Sequence, residues 1–451
     1  MNDTITALST PTGESAIALV RLSGGDCLRL AMQAFGVSEI TPRRANFGTY
    51  KDAEGNALDE AVFTFFKSPA SYTGEDMLEI SCHGNPYIAR KIIDDLIARG
   101  ARPAQAGEFT RRAFLNDKLD LSQAEAVALV IGARSASSLE AAQKQLAGEL
   151  GKRIARFSDK LMDMCALVEA YIDFPEDDLP EEDKAALERT ADDLTAQMRR
   201  LVETSKYSAL VHEGINAVIA GAPNAGKSSL LNALVGDERA IVSPAAGTTR
   251  DFIVEKILAG KYAVNIVDTA GLRETDSEIE AKGIEMALGK FERSDIRLLV
   301  LDASDKMPEL PEKVSAVLSP KNTIIVLNKC DLPNADTAQF KKRFADFECV
   351  ELSCTTHEGV ANLRGTIERI IEKFHIRASA DDILVSARHA DALNRALDSL
   401  KAARAKIANG DAGELTASDL REALDALGEI VGKTDNEAIL DRIFSKFCIG
   451  K

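Results

Sequence analysis

Gly221-Ala222-Pro223-Asn224-Ala225-Gly226-Lys227-Ser228-Ser229 has the spacing G-x-x-x-x-G-K-S. The apolar run Ile215-Asn216-Ala217-Val218-Ile219-Ala220 precedes it and Leu230-Leu231-Asn232-Ala233-Leu234 follows, so a strand leads through a glycine-rich turn into a helix. In that context backbone N–H groups, those of Ala225, Gly226 and Ser229 among them, converge on an anion and the helix N-terminus adds its dipole. Lys227 then reaches the outer phosphates, and the Ser228 hydroxyl is placed to ligate Mg²⁺. The spacing also arises by chance; the strand before it and the helix after it make it a phosphate loop.

Outward from this loop the pattern is periodic. Strand candidates at 216–220, 262–267, 296–301, 322–327 and 349–352 alternate with helical runs, which predicts a Ras-like doubly wound, mostly parallel α/β sheet over 214–376. Three further signals follow in order. Gly247-Thr248-Thr249-Arg250-Asp251 offers a hydroxyl, that of Thr249, to Mg²⁺ and the γ-phosphate. Asp268-Thr269-Ala270-Gly271 ends a strand, with Asp268 expected in the outer sphere of Mg²⁺ and the Gly271 N–H near the γ-phosphate. Asn328-Lys329-Cys330-Asp331 ends another, and there the base is chosen. A carboxylate such as Asp331 accepts from guanine N1–H and the exocyclic amine; adenine lacks that donor pair, and an acceptor left unpaired in a site built for it rejects the wrong ligand by about 10⁴-fold. The Lys329 methylenes are expected along the base, with Ser353-Cys354 as the last base-contacting loop. The ordered set predicts GTP hydrolysis.

The rest of the chain divides by texture. Residues 1–118 are strand-rich, with strands read at 17–22, 60–66 and 77–82 and a helix from Tyr87 to Arg99 ended by Gly100: an α+β module. From Leu121 the texture is helical. Leu150, Ile154, Phe157, Leu161, Met164, Val168 and Ile172 form one apolar stripe, Asp173 to Pro180 breaks it, and a second helical run is read over 181–208. Helices return at 389–408 and 415–431, and Thr434-Asp435-Asn436-Glu437 has the spacing of a capping box for a last amphipathic helix. The economical organisation packs 119–210 and 380–451 as one discontinuous all-α domain into which the 214–376 domain is inserted.

Composition bounds the partners. The 451 residues carry a net charge of −16, which argues against non-specific nucleic-acid binding. Residues 1–118 hold 13 basic against 15 acidic side chains, so nearly all of the excess lies beyond them and any RNA contact is expected to be local, helped by a partner or by dimerisation. No run of 18 apolar residues and no signal-peptide pattern occurs, so the expected compartment is the cytoplasm. Seven scattered cysteines read as reduced thiols, and five dispersed histidines give no metal cluster.

Leu272 stands where many GTPases carry a water-positioning Gln after D-x-x-G, which resembles the translation-factor-like branch of GTPases. Glu274, Asp276, Glu278 and Glu280 are acidic candidates for that role; a solvated switch loop would also explain most of them. With Tyr72-Thr73-Gly74-Glu75-Asp76, Phe114-Leu115-Asn116-Asp117-Lys118-Leu119-Asp120-Leu121 and the terminal Phe447-Cys448-Ile449-Gly450-Lys451, the whole chain closely resembles the MnmE (TrmE) family of tRNA-modification GTPases. The resemblance implies a folate-binding and dimerising N-terminal domain, and a homodimer joined in a heterotetramer with the flavoprotein MnmG. Together they place a carboxymethylaminomethyl or aminomethyl group on C5 of the wobble uridine of certain tRNAs. The carbon comes from 5-formyl- or 5,10-methylene-tetrahydrofolate. It carries the folate ligands onto Arg21, Glu79, Lys118 and Lys451, with Cys448 nearby. Without it, Arg21 and Glu79 would read as a surface ion pair and Cys448 as a thiol buried under the last helix. It also implies that the G domains pair face to face around a K⁺ ion. Asn224 and the loop of Ser243, Pro244, Ala245, Ala246, Gly247 and Thr248 would hold that ion, chiefly by carbonyls at Ser243, Ala245 and Thr248, while Glu280 orients water and Arg273 steadies the pairing.

Three positions depart from the family pattern: Pro11-Thr12-Gly13-Glu14-Ser15 lacks the glycine-rich basic start, His83-Gly84-Asn85 stands for H-G-G, and Ser353-Cys354 for S-A. Two other classes stay open. One is an RNA-binding, ribosome-assembly GTPase without modification chemistry, which has no use for Arg21, Glu79, Lys118 or the tail. The other is a folate-dependent aminomethyltransferase, which leaves the nucleotide motifs unemployed.

Overall fold

The computed structural model describes residues 3–173, 181–236, 254–268, 289, 291–310, 312–375, 383–410, 413–433, 437–445, 447 and 450. Two compact units emerge from the contacts. One comprises Met1–Ile131, Lys144–Thr195 and Ala392–Lys451; the other comprises Gly132–Gln143 and Ala196–Asp391.

The first unit begins with β1 (Ile5–Leu8), β2 (Ile17–Ser23), α1 (Cys27–Phe35), β3 (Ala45–Lys51), β4 (Ala57–Phe66), β5 (Met77–His83), α2 (Pro86–Ala98), β6 (Arg102–Pro103) and α3 (Glu108–Leu115). The strands form one sheet in the order β3-β4-β5-β2-β1-β6, antiparallel except for the β1–β6 pair. Strand alternation does the sorting. Val20, Leu22, Phe63, Leu78 and Ile80 point to one face, where Leu30, Ala34, Ile92 and Leu96 from α1 and α2 cover them. Their neighbours Arg21 and Glu79, paired in register across β2 and β5, point to the other. Asn85 caps α2, its side chain accepting from the Tyr87 and Ile88 N–H groups, which is a reason for Asn at the third position of His83-Gly84-Asn85. Gly84 itself leaves no choice: a Cβ there would lie 2.1 Å from the Ser15 carbonyl oxygen.

The turn Thr73-Gly74-Glu75-Asp76 is fastened from several sides. Ser23 Oγ lies 2.7 Å from Thr73 Oγ1 and 2.7 Å from Glu75 Oε2, and Asp76 accepts from the Ser68 N–H. Glu75 also receives Arg112 Nη1 at 2.9 Å. Arg112, 2% exposed on α3, bonds Asp3 and Glu108 as well, and Arg102 joins the same two carboxylates.

After this module come α4 (Leu121–Gly132), α5 (Ala136–Leu146), α6 (Glu149–Asp173), α7 (Glu181–Glu203) and α8 (Ser205–Glu213). Leu150, Ile154, Phe157, Leu161, Met164 and Val168 of α6 are buried, along the predicted stripe. The single helical run expected over 181–208 is in fact two helices. Thr204 breaks it: its Oγ1 lies 2.7 Å from the Leu201 carbonyl, the local bond by which Thr competes with helix continuation, and 2.9 Å from the Ile383 carbonyl.

The second unit contains β7 (Ile215–Gly221), α9 (Lys227–Val235), β8 (Val254–Ala259), β9 (Tyr262–Asp268), β10 (Ile296–Asp302), α10 (Glu312–Val317), β11 (Thr323–Asn328), α11 (Thr337–Arg343), β12 (Glu348–Glu351) and α12 (Val360–Ile370), which runs on into a π turn over Ile371–His375. The sheet order is β12-β11-β10-β7-β9-β8, parallel except for β8, an antiparallel edge strand that the sequence analysis did not place. Every residue of β11 is buried and β10 is buried from Ile296 to Leu301, the apolar continuity of strands covered on both faces. The chain returns to the first unit through α13 (Ala387–Asn409), α14 (Gly413–Val431) and α15 (Glu437–Phe444), and α14 packs along α6. The capping-box residues 434–436 lie outside the described residues.

The Arg112 cluster generates a stability prediction. Burial pushes the Glu108 carboxyl up, but Arg102, the Gln105 N–H and Arg112 outweigh it and hold it below its usual value; the hydrogen bond from Arg102 does the same to Asp3. A carboxylate with a depressed folded pKa stabilises above its unfolded pKa, near 4, and that stabilisation is lost as the pH falls through the lower folded value. Arg112→Ala strands carboxylates at the cluster and should cost about 3 kcal/mol at pH 7. In urea melts the gap from wild type should narrow below about pH 4, where the carboxylates protonate.

Candidate nucleotide site

The carboxyl ends of the parallel strands meet along one edge of the second sheet. Register aligns Gly221 with Val300, Asp302 with Asn328, and Ile219 with Asp268. The chain passes from β7 to β9 on one side and then to β10 on the other, so the strand order reverses beside β7, where open α/β sheets leave a crevice for a ligand. The loop from Gly221 to Gly226 lies at that point. Gly221 is required by its neighbour, since a Cβ would sit 2.3 Å from the Val300 carbonyl oxygen.

Gly226 is the N-cap of α9 with φ +97°, and a Cβ on it would lie 2.1 Å from Asn328 Nδ2. Asn224 adopts φ +63° and is exposed; Ala225 is buried. Lys227 Nζ sits 3.0 Å and 2.9 Å from the Gly221 and Ala222 carbonyl oxygens, so its ammonium lies over the loop. Ser228 and Ser229 are exposed in the first turn of α9, where the N–H groups are free of helical partners.

Asn328 is 2% exposed and joins two loops. Its Nδ2 donates to the Ala225 carbonyl at 2.9 Å, and its Oδ1 accepts from the Cys354 N–H at 3.2 Å. Ser353 Oγ accepts from the Thr355 and Thr356 N–H groups at 3.2 Å and 3.1 Å, a side-chain turn that shapes the Ser353-Cys354 loop. Lys329, at φ +65°, ion-pairs with Asp302, whose other oxygen accepts from Ser304 N and Oγ. Burial pushes the Asp302 carboxyl up, but Lys329 and Ser304 prevail and hold it below the usual range. Asp331 is exposed two residues on. The structure therefore brings Asn224–Ser229, Asn328, Lys329, Asp331, Ser353 and Cys354 to one edge, with the end of β9 at Asp268 beside them. Ser243–Thr249, Thr269, Ala270, Gly271, Arg273 and Glu280 lie outside the described residues. Sequence analysis did not single out Asp302. A carboxylate closing the apolar run Leu298-Leu299-Val300-Leu301 was its only signal.

In the first unit Arg21 and Glu79 are joined: Nε and Nη2 of Arg21 both donate to Glu79 Oε1, at 3.0 Å and 2.7 Å. The guanidinium carbon lies 5.8 Å and 5.9 Å from the Tyr72 and Phe109 ring centroids. Glu79 Oε2 carries no bond among the described residues. The Lys118 stem lies against Gly74, where a Cβ would meet its Cγ at 3.3 Å, and its Nζ is 3.1 Å from the Pro69 carbonyl. Gly450, at φ +97°, lies where a Cβ would be 2.2 Å from the Leu8 carbonyl, and its own carbonyl accepts from Ser9 Oγ at 3.0 Å. Leu8 pairs with Val20 beside Arg21, so the tail is fastened next to that pair. Cys448 and Lys451 lie outside the described residues.

The six described cysteines are free. Burial pushes every one of their thiols up, Cys82 and Cys354 to about 11. Among the described residues no cluster of His, Cys, Asp and Glu could hold a metal ion by itself, and no helix is long and apolar enough to cross a membrane.

Asn328→Ala removes both bonds of the strut and leaves the Ala225 carbonyl and the Cys354 N–H without it. It should cost about 1–3 kcal/mol in urea unfolding and weaken nucleotide binding at least about tenfold in titrations with a fluorescent guanine nucleotide.

The family model described as the GTP-binding protein TrmE N-terminus matches residues 4–118, and that described as the MnmE helical domain matches residues 121–448. The tRNA modification GTPase MnmE of Opitutus terrae is 48% identical over 451 residues, covering 100% of this chain and 99% of that protein. The protein of the same name from Aquifex aeolicus is 42% identical over 455 residues, covering both chains completely. Among solved structures, the G domain of the T. maritima FeoB iron transporter matches 35% of this chain and 98% of that chain, at 26% identity and a TM-score of 0.26. The matches run the length of the chain, through both the N-terminal module and the nucleotide motifs: the chain belongs to the MnmE family of tRNA modification GTPases.

Proposed function

We propose that this chain is a K⁺-dependent GTPase that acts in tRNA modification. With the flavoprotein MnmG it adds a carboxymethylaminomethyl or aminomethyl group to C5 of the wobble uridine, using a one-carbon unit from a tetrahydrofolate. The observation that carries the nucleotide half is the Asn328 strut between the phosphate loop and the base loop. With it in place, Asp331 accepts from guanine, Lys227 meets the outer phosphates, and the α9 N-terminus stabilises their charge. Lys227 now rests on loop carbonyls, bonds it can exchange for phosphate oxygens without moving its backbone.

Mg²⁺ and K⁺, when bound, supply positive charge at the phosphate oxygens as the terminal bond breaks. Ser228 and Thr249 would hold Mg²⁺. Asn224, whose left-handed backbone leaves its side chain exposed at the loop tip, would hold K⁺ with Ser243, Ala245 and Thr248. Glu280 would orient the attacking water, with Arg273 supporting the closed pairing of two G domains. That pairing makes GTP turnover a conformational switch in a homodimer. The domain limits proposed are 1–118, 119–210 with 380–451, and 214–376.

The Arg21–Glu79 pair supports the folate half. Arg21 directs Nε and Nη2 to Oε1, which leaves Oε2 for the amidine-like donors of a pterin, and the half-buried Tyr72 beside the guanidinium gives an aromatic surface such a ring packs against. Lys118 and Lys451 would take the anionic glutamate tail. An assembly factor that only bound RNA would have no use for this pair.

The deciding experiment is nucleoside analysis of undermodified tRNA. The tRNA is incubated with this protein, the flavoprotein, GTP, K⁺, methylene-tetrahydrofolate, and glycine or ammonium. A GTP-dependent C5-aminomethyl uridine is expected; GTP consumed with uridine unchanged would favour the assembly-factor alternative. Glu280→Ala should lower kcat by about 10²-fold or more with GTP affinity near wild type, and replacing K⁺ by Na⁺ should slow wild-type turnover and G-domain pairing, equal rates in both salts counting against the ion's role.

A further inference from the structure

Lys329 is held in an unusual way for a residue expected along a base. Its backbone is left-handed at φ +65°, a conformation lysine rarely adopts, and its carbonyl accepts from the Leu332 N–H at 3.1 Å, closing a tight turn after β11. The side chain leaves that turn toward β10 and ends on Asp302, cross-strand partner of Asn328. Asp302 is itself fixed. One oxygen takes Ser304 N at 2.9 Å and Ser304 Oγ at 2.6 Å, and the other takes the lysine ammonium. The segment behind it is tied too: Ala303, 1% exposed, donates to the Asn328 carbonyl at 2.9 Å and accepts from the Asp336 N–H at 2.9 Å. The Lys329 side chain is 34% exposed and that of Asp302 19%, so the pair is partly withdrawn from water, yet four methylenes of Lys329 stretch between turn and anchor at the open end of the crevice.

We infer that Asp302 is a positioning residue for the guanine base: by anchoring the Lys329 ammonium it holds the lysine methylenes as a fixed apolar wall on which the base lies, and so sets guanine-nucleotide affinity without taking part in phosphate chemistry. Left unanchored, the lysine loses a single conformation, and a nucleotide has to order the side chain on binding. The base hydrogen bonds belong to Asp331 and are untouched. Asp302 therefore acts on the face of the base, not on its edge, and on every nucleotide that presents the same face. The inference rests on the guanine-nucleotide assignment above, and its signature follows from the geometry. Loss of Asp302 should weaken GTP, GDP and IDP by one common factor, because they differ only in the γ-phosphate or the exocyclic amine, neither of which meets Lys329.

The test uses the full-length protein and calorimetric titration with GDP, GTP and IDP, beside steady-state GTP hydrolysis. Asp302→Asn keeps the shape and the capacity to accept from Ser304, and removes the charge. Its Kd should rise by about tenfold for all three nucleotides, KM for GTP should rise in step, and kcat at saturation should hold within about twofold. The double variant of Asp302→Asn with Lys329→Ala separates positioning from plain stability. If Asp302 acts through Lys329, the second change adds nothing to the Kd of Lys329→Ala alone. Affinities within twofold of wild type in Asp302→Asn, a GDP-to-IDP ratio that shifts, or fully additive effects in the double variant would each overturn the inference. Failure of the wild-type protein to bind any guanine nucleotide would instead overturn the GTPase assignment, and this inference with it.

Discussion

One buried carboxamide governs the nucleotide edge. Asn328 donates through its amide nitrogen to the phosphate loop and accepts at its amide oxygen from the Cys354 loop, and these two loops lie about a hundred and thirty residues apart in sequence. Backbone groups at such a place have few alternatives, because a buried N–H or C=O without a partner costs more than the bond returns. The amide therefore selects the conformation in which phosphate donors and base acceptors face the same crevice. Gly226 follows from it, since the Asn328 amide occupies the volume a β-carbon would need. Parallel pairing of β7, β10 and β11 places the strand ends in one row; Asn328 then converts a row of ends into a site.

The first unit uses ion pairs in two contrasting ways. Arg112 is buried among Asp3, Glu75 and Glu108 and serves the architecture, locking the Thr73–Asp76 turn to the start of the chain. Arg21 and Glu79 stand on the opposite face of the sheet, their side chains 14% and 26% exposed, with one carboxylate oxygen unspent among the described residues. The T-G-E-D sequence is thus explained by folding, while Glu79, three positions after it, takes no part in that fastening.

What was legible in the sequence follows the range of the forces involved. The phosphate loop was legible because anion binding by backbone N–H groups needs contiguous residues, and β10 and β11 because burial on both faces leaves an unbroken apolar run. The α6 stripe was legible for the same local reason. Strands β1, β3 and β8 were not, because each is defined by its partner across the sheet and carries little signal of its own. The break at Thr204 depends on a carbonyl from Ile383, distant in sequence. Asp302 likewise acquires meaning only when Lys329 arrives beside it. Asn85, which looked like a departure from pattern, proves to be a local helix cap.

The thiols of Cys27, Cys82, Cys165, Cys330, Cys349 and Cys354 are all held in the protonated form by burial. Nucleophilic attack on an alkylating reagent proceeds through the thiolate, so at neutral pH these six are slow to label. They form a quiet chemical background. Against it, the intrinsic reactivity of the seventh cysteine, Cys448, can be followed by mass spectrometry in the unaltered protein, with no cysteine first removed.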